Sequence, residues 1–248
     1  MAKDALVSVG SKFMVSPEIR AAGEAIGMHG SALYFRGRVA ALGEVNAVAA
    51  AEIMGIFQPS LIEHLWRKTA GVSAAEALSA YLGVCSAWGR SHLAGLSDPE
   101  RLVELAGRVV DQTGISALAL FGAWRRVERP EDPLAAAAFL LMLLRELRGG
   151  LHFAALAVQG LEIPWAMIAD PALSSPKHFE SLGWREADIE AANREAAAVP
   201  QLAERWAAAE ELTVAAFRKR LSVLDDAEQA ELTRLIAESD ELSSAHSA

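Results

Sequence analysis

Residues 132–152 read DPLAAAAFLLMLLRELRGGLH. Asp132 ahead of Pro133 marks a helix start. The aspartate can accept from an unpaired backbone N–H, and proline suits the first helical position because it has no N–H to lose. An apolar run follows from Leu134 to Leu144. Crossing a bilayer takes roughly twenty such residues, so this shorter run reads as a buried core helix of a cytoplasmic protein. Arg145, Glu146 and Arg148 come next, and the pair Gly149-Gly150 reads as the end of the helix, with His152 beginning another.

Outward from this stretch the punctuation is helical on both sides. Ser16-Pro17-Glu18 opens a helix that Gly27 stops. Ser73-x-x-Glu76, Ser97-x-x-Glu100 and Asp225-x-x-Glu228 read as capping boxes, each satisfying two unpaired backbone donors reciprocally. Between them alanine and leucine dominate, and both favour helix. Apolar residues recur three and four apart, as in Leu102, Leu105 and Val109 or Leu232, Leu235 and Ile236, and no segment alternates as a strand would. The pattern predicts an all-α chain, more than half helical. Alanine-rich faces let the helices approach closely in a compact helical bundle. From Ile163 to Ser181, Pro164, Pro171 and Pro176 break the pattern. The expected organisation is a helical core domain over 1–162, a proline-rich connector over 163–182 and an acidic helical region over 183–248.

The 248 residues are 52% hydrophobic, enough for one large core or two smaller ones. The net charge of −9 repels a phosphate backbone unless local patches oppose it, and it disfavours anionic lipid. Residues 183–248 alone hold 7 Lys and Arg against 14 Asp and Glu, so most of the excess acid lies there. A lone cysteine, Cys85, excludes an internal disulfide and any multi-cysteine metal site. The opening residues have no apolar core of signal-peptide length.

Four segments carry a likeness to known sequences. They are Gly27-x-x-Gly30 with Tyr34-Phe35-Arg36-Gly37-Arg38 and Leu42-Gly43; Phe57-Gln58-Pro59-Ser60-Leu61; Leu144-Arg145-Glu146-Leu147-Arg148-Gly149-Gly150-Leu151-His152; and Gly183-Trp184 opening an acidic helix. In order and spacing they resemble the SalK-like helix-turn-helix family of actinobacteria. Leu147, Gly150 and Leu151 depart from its pattern, which has His, Asp and Gly there. The resemblance implies a winged-helix or helix-turn-helix-like part within the all-α fold, and proximity to specialised metabolism.

Two constellations carry candidate chemistry. Arg145 and Arg148 share a helix face and follow an apolar stretch, so their half-buried guanidinium groups need a carboxylate or an anionic ligand. Glu146, adjacent in sequence, is expected to point elsewhere. In the functional reading the two arginines clamp a carboxylate or phosphate, with His152 and Glu146 as the catalytic candidates. In the structural reading the same residues form an ion-pair network that locks two helices. His29, Tyr34, Arg36 and Arg38 form the second constellation, one wall of an anionic pocket with Arg38 as anchor, or else plain helix packing. Trp165, in the proline-rich segment, is a further ligand-binding candidate. His64, His92, His178 and His246 have no partners at metal-ligand spacing, so neither metal nor cofactor is expected. Cys85 reads as a packed, inert thiol.

These residues favour a small-molecule-binding protein with an anionic ligand, as in a ligand-responsive regulator. A metal-independent enzyme or accessory protein using the Arg/His pocket is the first alternative, and a protein–protein interaction module the second. The Leu232, Leu235 and Ile236 stripe predicts a homodimer through the last helix. The segment from Trp184 to Glu190 holds three acids and one base, which predicts no tight sequence-specific DNA binding by the isolated monomer.

Overall fold

A computed structural model describes residues 3–114 and 117–245; His246 lies outside them. In chain order the helices are α1 (Lys3–Val9), α2 (Pro17–Ala25), α3 (Ala32–Val39), α4 (Ala47–Met54), α5 (Pro59–Lys68), α6 (Ala74–His92), α7 (Pro99–Gln112), α8 (Ala119–Trp124), α9 (Pro133–Val158), α10 (Ile163–Ala169), α11 (Pro176–Ser181), α12 (Glu186–Ala197), α13 (Leu202–Leu221) and α14 (Asp226–Ala245). One-turn 3₁₀ segments lie at Lys12–Val15 and Ala40–Leu42. Among the described residues there is no strand, and none of their helices is long and apolar enough to cross a membrane.

The apolar run lies at the centre of this all-α bundle. Every residue from Ala135 to Leu144 is buried, because α6, α7, α13, α8 and α1 surround α9. A helix apolar all round is stable in water only when it is enclosed in this way. Asp132 caps it as the sequence implies, accepting from the Ala135 N–H at 2.9 Å. The other end differs from expectation. Gly149-Gly150 does not close the helix: α9 continues to Val158, and His152 lies within it. A glycine stop needs a residue in left-handed conformation, and neither glycine has positive φ. Buried Ala155 and Leu156 continue the apolar pattern beyond them, and their packing carries the helix through.

Other boundaries sort by the same logic. The Ser73–Glu76 and Asp225–Glu228 boxes form. The Ser97–Glu100 box does not. Pro99 sets the first turn, so Asp98 becomes the cap, while Ser97 donates from its N–H and hydroxyl to Glu238 of α14. Pro164 and Pro176 open helices instead of breaking them. They sit in the first turns of α10 and α11, where a missing N–H removes no bond.

A second apolar cluster joins Phe35 of α3 to α4, α5 and α10–α12 through Met54, Phe57, Ile62, Met167, Phe179, Leu182 and Ile189. The stripe on α14 needs no second copy to cover it. Leu232, Leu235 and Ile236 are buried against α1 and α7 of the same chain, and Lys12 fastens the helix through Asp240 at 2.8 Å.

Candidate functional site

The polar stretch of α9 from Arg145 to His152 projects into two junctions. At the first, α3 presents Arg38 to Glu146. Arg38 Nε donates to Glu146 Oε1 at 2.9 Å and Nη2 to Oε2 at 2.8 Å, a bidentate pair with both residues buried. Arg38 Nη1 reaches the Tyr34 hydroxyl at 3.3 Å and Met54 Sδ at 3.6 Å. The Arg38 carbonyl accepts from Trp124 Nε1 at 2.7 Å, which ties α8 to the same point. Arg145 adds a bond from Nη1 to Glu146 Oε1 at 3.1 Å. Glu146 thus pairs away from its own helix, as its place beside Arg145 implies, and the long Arg145 side chain also bends back to share the carboxylate. Burial alone would raise the Glu146 pKa; the charges of Arg38 and Arg145 and their hydrogen bonds outweigh it and hold the carboxylate below its ordinary range. Burial likewise opposes the charge on Arg38, and Glu146 reverses that effect, raising its pKa. Nearby Tyr81 has a buried hydroxyl with no hydrogen-bond partner among the described residues, and burial pushes its pKa well up.

At the second junction, α9 meets α13. Arg148 Nη2 donates to Glu210 Oε2 at 3.2 Å, and His152 Nδ1 lies 3.2 Å from both Glu210 Oε1 and the Thr213 hydroxyl. The Thr213 hydroxyl donates to the Ala209 carbonyl at 2.7 Å, so toward His152 it can only accept. That assigns a proton to His152 Nδ1 by hydrogen-bond chemistry.

The structure therefore splits the sequence-derived candidates. Arg38, Tyr34, Arg145 and Glu146 come together, and Arg148 and His152 come together one turn further along. His29 is exposed on the turn before α3, and Trp165 donates instead to Glu195 of α12 at 3.2 Å. Neither joins these networks. Cys85 is buried, and burial raises its thiol pKa, in keeping with an inert role. Among the described residues no group of three His, Cys, Asp or Glu side chains is placed to hold a metal ion.

A cavity of about 390 Å³ opens beside the first junction. Arg38, Glu52 and Glu146 form its polar edge, and Ile53, Leu118, Phe121 and Phe153 its apolar walls. Gly149 and Gly150 border it because they carry no side chains to fill it. A Cβ on Gly149 would meet nothing within 4 Å, whereas one on Gly150 would lie 2.9 Å from Leu118 Cδ2. Phe153 also abuts Gly55, the left-handed residue (φ +64°) that caps α4 and leads to α5; a Cβ there would lie 3.0 Å from its ring. Sequence reading missed Phe153 and Glu210. Phe153 stands four residues after Gly149, on one helix face, a signal visible once α9 is read as continuous. Glu210 is 62 residues from Arg148, and nothing local marks it.

The turns of two short helix pairs brace each other. Trp184, between α11 and α12, donates from Nε1 to the Ile56 carbonyl between α4 and α5 at 2.9 Å, and the Gln58 N–H donates to the Leu182 carbonyl at 3.1 Å. No curated protein and no solved structure matches the chain. A family model described as a helix-turn-helix family matches residues 2–246. With that match covering nearly the whole chain, the protein belongs to this helix-turn-helix family.

Proposed function

We propose that the protein is a ligand-responsive regulator, a SalK-like member of its family, that senses a small molecule in the cavity beside Arg38 and Glu146. The observation that carries this reading is the placement of Phe153, which lines the cavity and also abuts Gly55 at the α4–α5 turn. A ligand that shifts this ring biases the turn, and differential contact of that kind is what moves a conformational equilibrium. The volume lies within the usual range for small-molecule sites, with mostly apolar walls and few polar groups. Arg38 is already paired with Glu146, so this cavity suits a ligand that is mainly apolar and hydrogen-bonds to the edge of the ion pair.

Direct DNA reading by α12 has little support. Glu186 and Glu190 are exposed on it, and Arg185 is tied to Asp188 at 2.9 Å. The exposed cations Arg67 and Lys68 end α5 instead. Two measurements test the proposal. Protein purified from its own host should retain a small molecule, identified by mass spectrometry, that Gly149→Leu loses because the new side chain occupies the cavity. Identical profiles from the two proteins would refute ligand sensing at this place. A mobility-shift assay at physiological salt, using the protein's own upstream region, should show no competitor-resistant binding by the monomer at submicromolar concentration.

A further inference from the structure

We infer that the cavity between α9, α13 and α14 is a separate binding site for an organic monoanion with an apolar body. It has a volume of about 440 Å³ and shares no lining residue with the Arg38 cavity. Val214, Phe217 and Leu221 of α13 form an apolar wall, and Arg148, Arg218, Gln229 and Thr233 provide the polar groups.

Charge is what sets this cavity apart. It lies in the most acidic quarter of the chain, yet no carboxylate lines it. Two acids of α14 are used on its other face, where Glu231 meets Arg101 at 2.9 Å and Glu228 pairs with Arg108. That leaves Gln229 and Ala230 toward the cavity. Glu210 stands behind Arg148, off the cavity wall, and is shared with His152.

The two arginines have donors to spare. Arg148 is 8% exposed and makes a single hydrogen bond among the described residues, from Nη2, although a guanidinium carries five N–H donors. Arg218 is exposed and has no carboxylate partner among them. A buried guanidinium with unused donors beside an apolar wall suits a carboxylate or sulfonate head on a hydrocarbon body, through short charge-assisted hydrogen bonds. With Arg148 offset by Glu210, the excess is the single positive charge of Arg218, which matches one anionic group.

Isothermal titration calorimetry with sodium decanoate, and with decan-1-ol as its neutral counterpart, tests the inference on the full chain. Decanoate should bind with one-to-one stoichiometry, and decan-1-ol at least tenfold more weakly. Arg218→Ala, at an exposed position, should weaken decanoate about tenfold, since tenfold corresponds to about 1.4 kcal/mol for one charged contact. Ala230→Trp, also exposed, should block the site, with far-UV circular dichroism confirming the fold. Gly149→Leu, which fills the other cavity, should leave decanoate binding unchanged. Equal binding of acid and alcohol, or undiminished binding to Ala230→Trp, would overturn the inference. So would binding lost only in Gly149→Leu, a result that would place the ligand in the Arg38 cavity and leave the proposed regulator standing.

Discussion

The two junctions at the polar stretch of α9 use the same chemistry to different degrees. Where α3 meets α9, each Arg38 side-chain nitrogen has a partner and Glu146 accepts through both oxygens. Where α9 meets α13, Arg148 offers one bond through one nitrogen, and Glu210 divides itself between Arg148 and His152. A sequence shows only that arginines follow a hydrophobic run. What separates a lock from a recognition group is how many donors the fold has already used. Breaking each junction should therefore have unequal effects.

The largest effect is expected at Glu146. Glu146→Ala leaves Arg38 charged, buried and unpaired, and should cost about 3–5 kcal/mol of stability by urea denaturation at neutral pH. Replacing both partners with apolar residues, Arg38→Met with Glu146→Leu, should recover most of that loss, because no orphan charge remains. If Glu146→Ala cost no more than the matching change at Glu210, the contrast between the junctions would collapse.

Acid probes the same pair more gently. The Glu146 pKa is lower folded than its ordinary 4.5, so the unfolded chain binds the proton more readily. Its contribution is complete above that value and declines as pH falls through the folded pKa. Protonation leaves a carboxyl that still hydrogen-bonds, so the loss should stay below that of Glu146→Ala. Glu146→Gln should be less stable at neutral pH and lose less of its remaining stability between about pH 5 and pH 3. An acid limb as steep as the wild type's would show that the other carboxylates shifted downward, Glu18, Glu76, Asp188, Glu228 and Glu238, dominate instead. Glu210→Ala should cost less than Glu146→Ala, about 1–3 kcal/mol, the range for losing a charged hydrogen-bond partner.

Much of this fold was legible because helix starts are written locally. Asp132, Ser73 and Asp225 each announce a helix within four residues, and each does cap one. The central run signalled its own burial by length and composition. Helix ends were harder, since Gly149-Gly150 reads as a stop unless the packing of Ala155 and Leu156 is known. Coverage was harder still: the Leu232, Leu235 and Ile236 stripe shows that something must cover it, but not that α1 and α7 of the same chain do. At the site, Tyr34 and Arg38 met as their four-residue spacing implies. The partner carboxylates could not be assigned, because 108 residues separate Arg38 from Glu146 and 62 separate Arg148 from Glu210. Ion pairs over such distances are products of the fold and leave no local trace.

The smallest expected effect concerns the glycine pair that follows Arg148. Inside a helix glycine is less favourable than alanine by roughly 0.5–1 kcal/mol, because it surrenders more backbone freedom on folding. At Gly149 an added methyl meets nothing within 4 Å, so Gly149→Ala should stabilise by about that amount in urea denaturation. At Gly150 the methyl would lie 2.9 Å from Leu118 Cδ2. The Leu118 side chain can yield, but doing so offsets the backbone gain, and Gly150→Ala should be close to neutral. Were Gly149→Ala strongly destabilising, that residue would need a non-helical conformation, and α9 would break where the sequence first suggested. A stabilising Gly149→Ala has a second consequence: it shows that the position gives up helix stability to keep the wall beside Glu146 bare, which is expected of a cavity that is occupied.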